Sequence, residues 1–369
     1  MNNKIHWVKF EILENFMKDV FVKLGVPPED AAVCADVLIT SDKRGIDSHG
    51  IGRMKTIYYD RIQAGIQFPV TDFEVVKDLD ATAVVDGHDG MGHLIAKKSM
   101  QMAIDKAKEH GLGMVVTRNS THYGICGYYA LMAIKNGMIG FTGTNARPSI
   151  APTHGVENML GTNPFTFGLP TDEEFPFLFD GATSVSQRGK IEVYNRAEKE
   201  IPEGWVIDRK GNYRTDTKQI LIDLVKGKAA LTPLGGMGET RGGHKGYSYA
   251  TLVEILSAAL QNGSYLKQLL GWEDEKRVPY HLGHFFIAID IEHFINLDLF
   301  RKIAGNILRE LRNSKVSPKA ERIYTAGEKE YLAELERTDK GAPINKNLQN
   351  EINEMREKMK LQQYSFPWD

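Results

Sequence analysis

After Pro69 the chain changes texture, and that change limits the folds open to it. Before it, Val8, Phe10, Ile12, Leu13, Phe16, Val20, Phe21 and Leu24 follow a mostly helical period that Gly25, Pro27 and Pro28 stop. A second helix over about 28–43 opens on Pro28, Glu29 and Asp30, all suited to a first turn, and a third is predicted over about 49–64. Beyond it, Thr82–Gly87, Gly113–Arg118 and Met138–Thr144 are short β-branched and aromatic runs bounded by glycine, with helical patterns at about 92–110 and 124–136 between them. Phe165–Leu169, Phe175–Phe179 and His284–Asp290 read as further strands. From about 297 the pattern is helical and highly charged again, ending in a surface helix near 346–361. The expectation is an α/β protein with a helical domain from both chain ends, residues 1–80 joined by C-terminal helices over 297–369, and a central mixed-sheet domain over 81–296.

A length of 369 residues is enough for two such units. With 46 basic against 48 acidic residues, the net charge of −2 gives no general pull toward nucleic acid or membrane surfaces, so the expected ligand is small. Cys34 and Cys126 build no disulfide framework and match no zinc spacing, and Met1-Asn2-Asn3-Lys4-Ile5-His6 begins no export signal, so a reduced, cytoplasmic protein without a metal is expected. No apolar run approaches the roughly 20 residues of a membrane span.

Glycine gathers around histidine, lysine and arginine in three places. The first runs Asp47, Ser48, His49, Gly50 and on to Arg53; the second runs Thr121, His122, Tyr123, Gly124 and resumes at Gly161, Thr162, Asn163, Pro164; the third is Gly242, Gly243, His244, Lys245, Gly246. Glycine permits close backbone approach, while the basic side chains transfer protons and bind anions. On a helical period His49 and Arg53 share a face opposite Ile51, Met54, Tyr58 and Ile62. That pair reads as an exposed polar face or as a proton donor beside a carboxylate clamp. His122 follows a strand and precedes a helix, where it serves either as a reactive group or as part of a capping turn.

The helix after Gly243 is apolar almost all round, from Tyr247 and Tyr249 to Leu260, and is expected to be buried. Its glycine-rich first turn with Lys245 forms an anion site, or else allows close helix packing; Glu254 within it is read as structural. Asp180, ahead of Gly181, Ala182, Thr183 and Ser184, caps a turn or accepts from a ribose hydroxyl. The sequence has no G-x-G-x-x-G after a strand, no P-loop, no G-x-S-x-G and no H-E-x-x-H, so standard Rossmann sites, P-loop NTPases, serine hydrolases and zincins lose support.

In order, Asp47–Arg53, Asn119–Gly124 with Gly127–Ala130, Ile150–Pro152, Leu160–Phe165, Asp180–Ser184 and Gly242–Tyr247 resemble the malate/L-lactate dehydrogenase family of the non-Rossmann type, over about residues 10–330. That family also holds sulfolactate, ureidoglycolate, diketogulonate and piperideine-2-carboxylate oxidoreductases. The resemblance implies NAD- or NADP-dependent interconversion of a 2-hydroxy acid and a 2-keto acid, malate and oxaloacetate being the favoured pair, on a non-Rossmann cofactor fold in a homodimer whose subunits complete each other's sites. It implies proton transfer by His49 or His122, with Ser48 and Arg53 on the substrate carboxylate. It further implies cofactor contacts from Thr162, Asn163 and Pro164, from Asp180 to Ser184, from Gly243, His244, Lys245 and Gly246, and from Gly327 and Glu328. The chain departs from the family pattern at Ala146, often serine, and at Gly181, usually methionine. Reduction of a keto sugar acid or a cyclic imine is the alternative within the family; a noncatalytic anion-binding protein is the alternative outside it.

Overall fold

The computed structural model describes residues 5–369; Met1–Lys4, the start of the stretch read as carrying no export signal, lie outside the described residues. The chain opens with β1 (His6–Val8), α1 (Phe10–Lys23) and α2 (Pro28–Lys43), then α3 (Asp60–Gln63), and enters its central sheet through β2 (Glu74–Asp78) and β3 (Thr82–Asp86). There follow α4 (Gly92–His110), β4 (Leu112–Ser120), α5 (Gly127–Lys135), β5 (Met138–Thr144), β6 (Phe165–Leu169) and β7 (Phe177–Gly181). An excursion holds α6 (Arg188–Arg196), β8 (Val206–Asp208), β9 (Tyr213–Arg214), α7 (Thr217–Val225) and β10 (Ala229–Leu231). Then come α8 (Gly243–Ala258), β11 (Trp272–Glu273), β12 (Lys276–Arg277), β13 (Leu282–Asp290), α9 (Leu297–Asn313), α10 (Glu328–Arg337), β14 (Ala342–Ile344) and α11 (Lys346–Lys358).

The seven-stranded sheet has the order β2-β3-β4-β13-β5-β6-β7. Only β3 and β4 pair in parallel, joined across α4; the remaining pairs are antiparallel, so the sheet is mixed as expected. The late strand β13 inserts between β4 and β5, with Phe286 opposite Val115 on one side and Thr142 on the other. One face buries Ala96, Met100 and Ile104 of α4 and Tyr129 and Ala133 of α5 against Val85, Val115 and Phe286. On the other face Val253 of α8 packs with Val116 and Phe285. A small antiparallel sheet, β10-β8-β9, belongs to the excursion and has its own core of Ile191, Val206, Ile220 and Leu231.

The two ends of the chain share a core: Leu13, Phe16, Met17, Phe21 and Leu38 pack with Ile344, Ile352, Met355, Leu361 and Phe366. Antiparallel pairing of β1 with β14 ties them further. The helix α9 instead leans toward the central part, where Arg309 meets Asp172 at 2.9 Å.

Two expectations need correction. The segment predicted as one helix over 49–64 is a 3-10 turn at Ile51–Arg53, a widened π turn at Met54–Tyr59 and then α3. The helical face that would join His49 to Arg53 therefore does not exist. Likewise α8 is not wholly buried: Ala250, Val253 and Ser257 face the protein, while Tyr249, Leu252 and Ile255 lie 46–54% exposed. A helix apolar all round has two faces to cover, and the sheet of one chain covers one.

Candidate active site

The turn carrying Ser48 and His49 is set by a buried carboxyl. Asp42, near the end of α2, accepts the backbone N–H of Ile51 at 2.8 Å, which folds residues 44–51 back over the helix end. Ser48 Oγ then lies 2.8 Å from His49 Nδ1. Arg53 donates from Nε to the carbonyl of Ser48 at 2.5 Å, bracing the turn from behind. The guanidinium sits beside Gly189 of α6.

His122 comes from the loop between β4 and α5. Gly124 has φ +81° there, and a side chain on it would stand 2.6 Å from Val37 Cγ1, so glycine is required by conformation and by space. The fold brings the two histidines together with ring centroids 5.8 Å apart and planes 20° from parallel. Burial pushes the pKa of His49 down to about 4, with Arg53 adding to the effect. Burial also holds His122 well below the usual histidine range, helped by the neighbouring His49 and His93 rings, which would repel a second proton, and by Arg61 and Arg53. Both rings are therefore neutral at neutral pH, the state a proton acceptor needs.

Ser48, His49 and His122 line a cleft of about 280 Å³ with Thr144, Asn145, Ala146, Thr162, Pro164, Asp180, Gly181, Ala182, Gln187, Leu282 and Glu330 among its walls, and Arg53 does not line it. Asp180 at the end of β7 accepts from the backbone N–H of Gly127 at 2.7 Å and from Thr166 Oγ1 at 2.8 Å. Its carboxyl borders the cleft, yet the surrounding protein displaces enough water to raise its pKa above the ordinary value despite those two bonds. Both family departures, Ala146 and Gly181, line the cleft, and the Phe179 ring lies where a side chain at Gly181 would begin.

Other predicted residues shape the cleft without turning side chains into it. Asn163, fully buried, accepts from Ala146 N at 3.1 Å and donates to Glu254 Oε2 at 2.7 Å, so the Thr162–Pro164 loop is bolted to α8. Glu254 has the structural partner its position requires, and also accepts from Leu266 N at 2.8 Å. Thr183 donates to the carbonyls of Thr162 and Asn163, both at 3.1 Å. The cleft adjoins a second hollow of about 420 Å³ that shares Ser48, Ala182 and Gln187 and adds Ser184, Ser186 and Lys190. The hydroxyls of Ser184 and Ser186 are buried without a protein partner.

The third motif stands apart: none of Gly243, His244, Lys245 and Gly246 lines either space. A Cβ on Gly243 would collide with the carbonyl of Gly236, and one on Gly246 with that of Leu234, so these glycines admit a loop against the first turn of α8. Lys245 is exposed. Gly327, at φ +92°, begins α10, and the buried Glu328 accepts from Thr325 N at 3.1 Å and pairs with Arg322. It is Glu330, two residues further on, that lines the cleft.

Sequence reading missed Glu330, Gln187 and Leu282, whose surroundings carry no local signal. Tyr58 was placed on the apolar face of a helix, and it is fully buried, but its hydroxyl reaches His122 Nδ1 at 2.6 Å. A buried phenol needs a partner, and that requirement was the available clue.

A family model described as malate/L-lactate dehydrogenase matches residues 8–353. A protein named malate dehydrogenase from Pyrococcus horikoshii is 44% identical over 93% of this chain and 92% of its own. The L-sulfolactate dehydrogenase of Methanocaldococcus jannaschii is 38% identical over 91% of this chain and 92% of its own. The crystal structure of malate dehydrogenase from Entamoeba histolytica superposes with a TM-score of 0.94 at 44% identity, covering 97% of this chain and 99% of that one. With its two histidines facing one cleft on a mixed, non-Rossmann sheet, this chain belongs to the malate/L-lactate dehydrogenase family of oxidoreductases.

Proposed function

We propose that the chain interconverts a small 2-hydroxy acid and its 2-keto acid, with malate and oxaloacetate as the pair. The observation that carries this reading is the meeting of Ser48, His49 and His122 with Thr162, Pro164 and Asp180–Ala182 around one cleft. Relatives named malate dehydrogenase at 43–44% identity support the substrate. Neutral His49 or His122 takes the hydroxyl proton, while Ser48 and Arg53 hold the carboxylate and fix the carbinol carbon. Arg53 would do so from beside Gly189, which lines the adjoining hollow.

The space fits a nicotinamide dinucleotide, NAD or NADP. Two adjoining hollows make an elongated groove, and Ser184 and Ser186 bring buried hydroxyls without protein partners to its wall. Thr162, Pro164, Asp180, Gly181, Ala182 and Ser184 would hold it, with Asn163 and Thr183 keeping the loops in shape. When bound, the nicotinamide accepts the hydride.

We read the assembly as a homodimer in the cytoplasm. Along α9, Leu299, Ile303, Ile307 and Leu311 are 47–55% exposed at four-residue spacing, a second uncovered apolar stripe beside that of α8. In such a dimer Gly243–Gly246 and Gly327–Glu328 would serve the cofactor from outside the single-chain cleft. The shared core of the chain ends, which draws on Ala342–Phe366 and not on α9, supports residues 1–80 with the end of 297–369 as one unit, against 81–296 as the cofactor-binding unit.

A substrate panel of malate, sulfolactate, keto sugar acids and cyclic imines, followed through NADH or NADPH absorbance, tests the reading. Malate oxidation that falls about 10²–10⁴-fold in kcat in His49→Ala and His122→Ala, with cofactor affinity retained, is the expected result. Turnover of a cyclic imine with none of malate would replace the substrate, and no turnover at all would leave an anion-binding protein.

A further inference from the structure

We infer that Tyr58 is a positioning residue that locks His122 in the tautomer with its proton on Nε2, so that this ring presents an N–H to the substrate oxygen. The inference rests on the dehydrogenase reading above, which places the substrate in the cleft beside His122.

The geometry allows one arrangement of protons. Tyr58 Oη stands 2.6 Å from His122 Nδ1, and the backbone N–H of Gly124 points at the same nitrogen from 3.3 Å. A backbone N–H can only donate, so Nδ1 is an acceptor and carries no proton. The Tyr58 O–H is then the group that donates to Nδ1 across the 2.6 Å contact. In the opposite arrangement, with a proton on Nδ1, two N–H groups would confront each other and the Tyr58 O–H would lose its only acceptor among the described residues.

Everything around Tyr58 keeps it in this role. Its ring is fully buried and lies 4.6 Å, centroid to centroid, from His93, a buried histidine with no partner on either ring nitrogen. His93 therefore does not compete through any hydrogen bond for the phenol. Phe21 packs against both rings, 5.9 Å from Tyr58 and 6.3 Å from His93. The charged groups facing the pair are Arg53 and Arg61, with His49 across the cleft, and all of them oppose a second proton on His122. A neutral imidazole fixed as an N–H donor polarises a carbonyl or holds an alcohol oxygen without exchanging its proton, the role known for neutral histidine electrophiles.

The consequence is a division of labour between the two histidines. His122 Nε2–H orients and polarises the reacting oxygen. The hydroxyl proton released on oxidation passes to His49 Nε2, which is open to accept in the tautomer whose Nδ1–H donates to Ser48 Oγ across their 2.8 Å contact. The proton and the hydride thus leave separate atoms of the substrate toward separate acceptors, and the cofactor of the reading above takes the hydride.

Nitrogen-15 NMR of histidine-labelled protein without ligands tests the lock directly, with the His122 signals assigned by their loss in His122→Asn. The expected spectrum has a protonated Nε2 and a bare Nδ1 for His122. A protonated Nδ1, or an even mixture, overturns the proposal. In Tyr58→Phe the Nδ1–H form should gain population, and kcat for malate oxidation should fall about three- to tenfold at unchanged KM, the worth of one hydrogen bond. A fall in kcat with an unchanged tautomer would mean a packing role and also overturn it. The spectrum of the wild-type chain decides the matter even if Tyr58→Phe does not fold. It does not depend on activity, so a chain that leaves malate unoxidised refutes the substrate and not the lock.

Discussion

Asp42 fills the space that a side chain at Gly50 would need: a Cβ built on Gly50 would collide with the Asp42 carboxyl. The same carboxyl is only 1% exposed and accepts from Ile51 N, so one buried acid shapes the turn that carries Ser48 and His49. Burial raises its pKa from 3.8 to about 8, against the opposing effect of the Ile51 hydrogen bond. A carboxyl with a raised pKa contributes stability fully present below pH 3.8 and lost progressively as pH rises to about 8, because only the unfolded chain ionises freely across that window. Asp42→Asn keeps an acceptor for Ile51 and does not ionise. Its melting temperature relative to the parent chain should therefore rise between pH 4 and pH 8; a constant difference across that range would show that Asp42 does not titrate there.

The depressed pKa of His49 sets the acid limb of activity. With a value of about 4, the ring remains neutral and able to accept a proton well below the usual histidine range. For hydroxy-acid oxidation, kcat/KM should lose no activity to a group near 6.5 and should fall only as pH approaches 4. Arg53 is a secondary cause of the depression, so Arg53→Ala should move the limb upward. A limb at 6.5 in the parent chain would mean that His49 is better hydrated than its surroundings imply.

Arg53→Lys should not rescue Arg53. The guanidinium uses Nε to hold the Ser48 carbonyl and has its remaining N–H groups for a carboxylate, and an ammonium cannot reproduce that planar fork. A charge-assisted hydrogen bond is worth about 1.5–3 kcal/mol, so kcat/KM should fall about tenfold to hundredfold. Steady-state kinetics with malate checks this, and a lysine variant at parental kcat/KM excludes the clamp.

For Lys245 the discriminating measurement is cofactor binding. Lys245→Ala should weaken NADH or NADPH about tenfold to hundredfold in a fluorescence titration, while KM for substrate at saturating cofactor stays as it was. If the dissociation constant does not move, the cluster at 243–246 is left with the loop packing that its glycines already explain.

The apolar stripes predict an assembly. Ile303→Glu on α9, where the parent side chain is 47% exposed, should cost the monomer little and split the dimer at micromolar concentration. Sedimentation velocity reads the outcome; a variant as dimeric as the parent would move the interface elsewhere, with Leu252→Glu on α8 as the next test.

What the sequence by itself determined was local. The periods behind α1, α2, α4 and α8 involve residues three and four apart, and the runs behind β3 to β7 and β13 alternate or stay apolar within a few residues, so propensity and pattern sufficed. The order of motifs likewise identified the family before any contact was known. Tertiary structure alone decided the rest. His49 sits in a turn and Arg53 at the end of the 3-10 turn that follows it because Asp42 captures Ile51, a bond across nine residues that no helical period encodes. Tyr58 reached His122 across sixty-four positions, and Glu330 entered the cleft from the far end of the chain. The third motif left the cleft because its glycines admit the carbonyls of Gly236 and Leu234 instead of a ligand. Burial followed the same rule: composition marked α8 as apolar on every side, but which side is covered depends on the surfaces brought against it, and those are properties of the packed molecule.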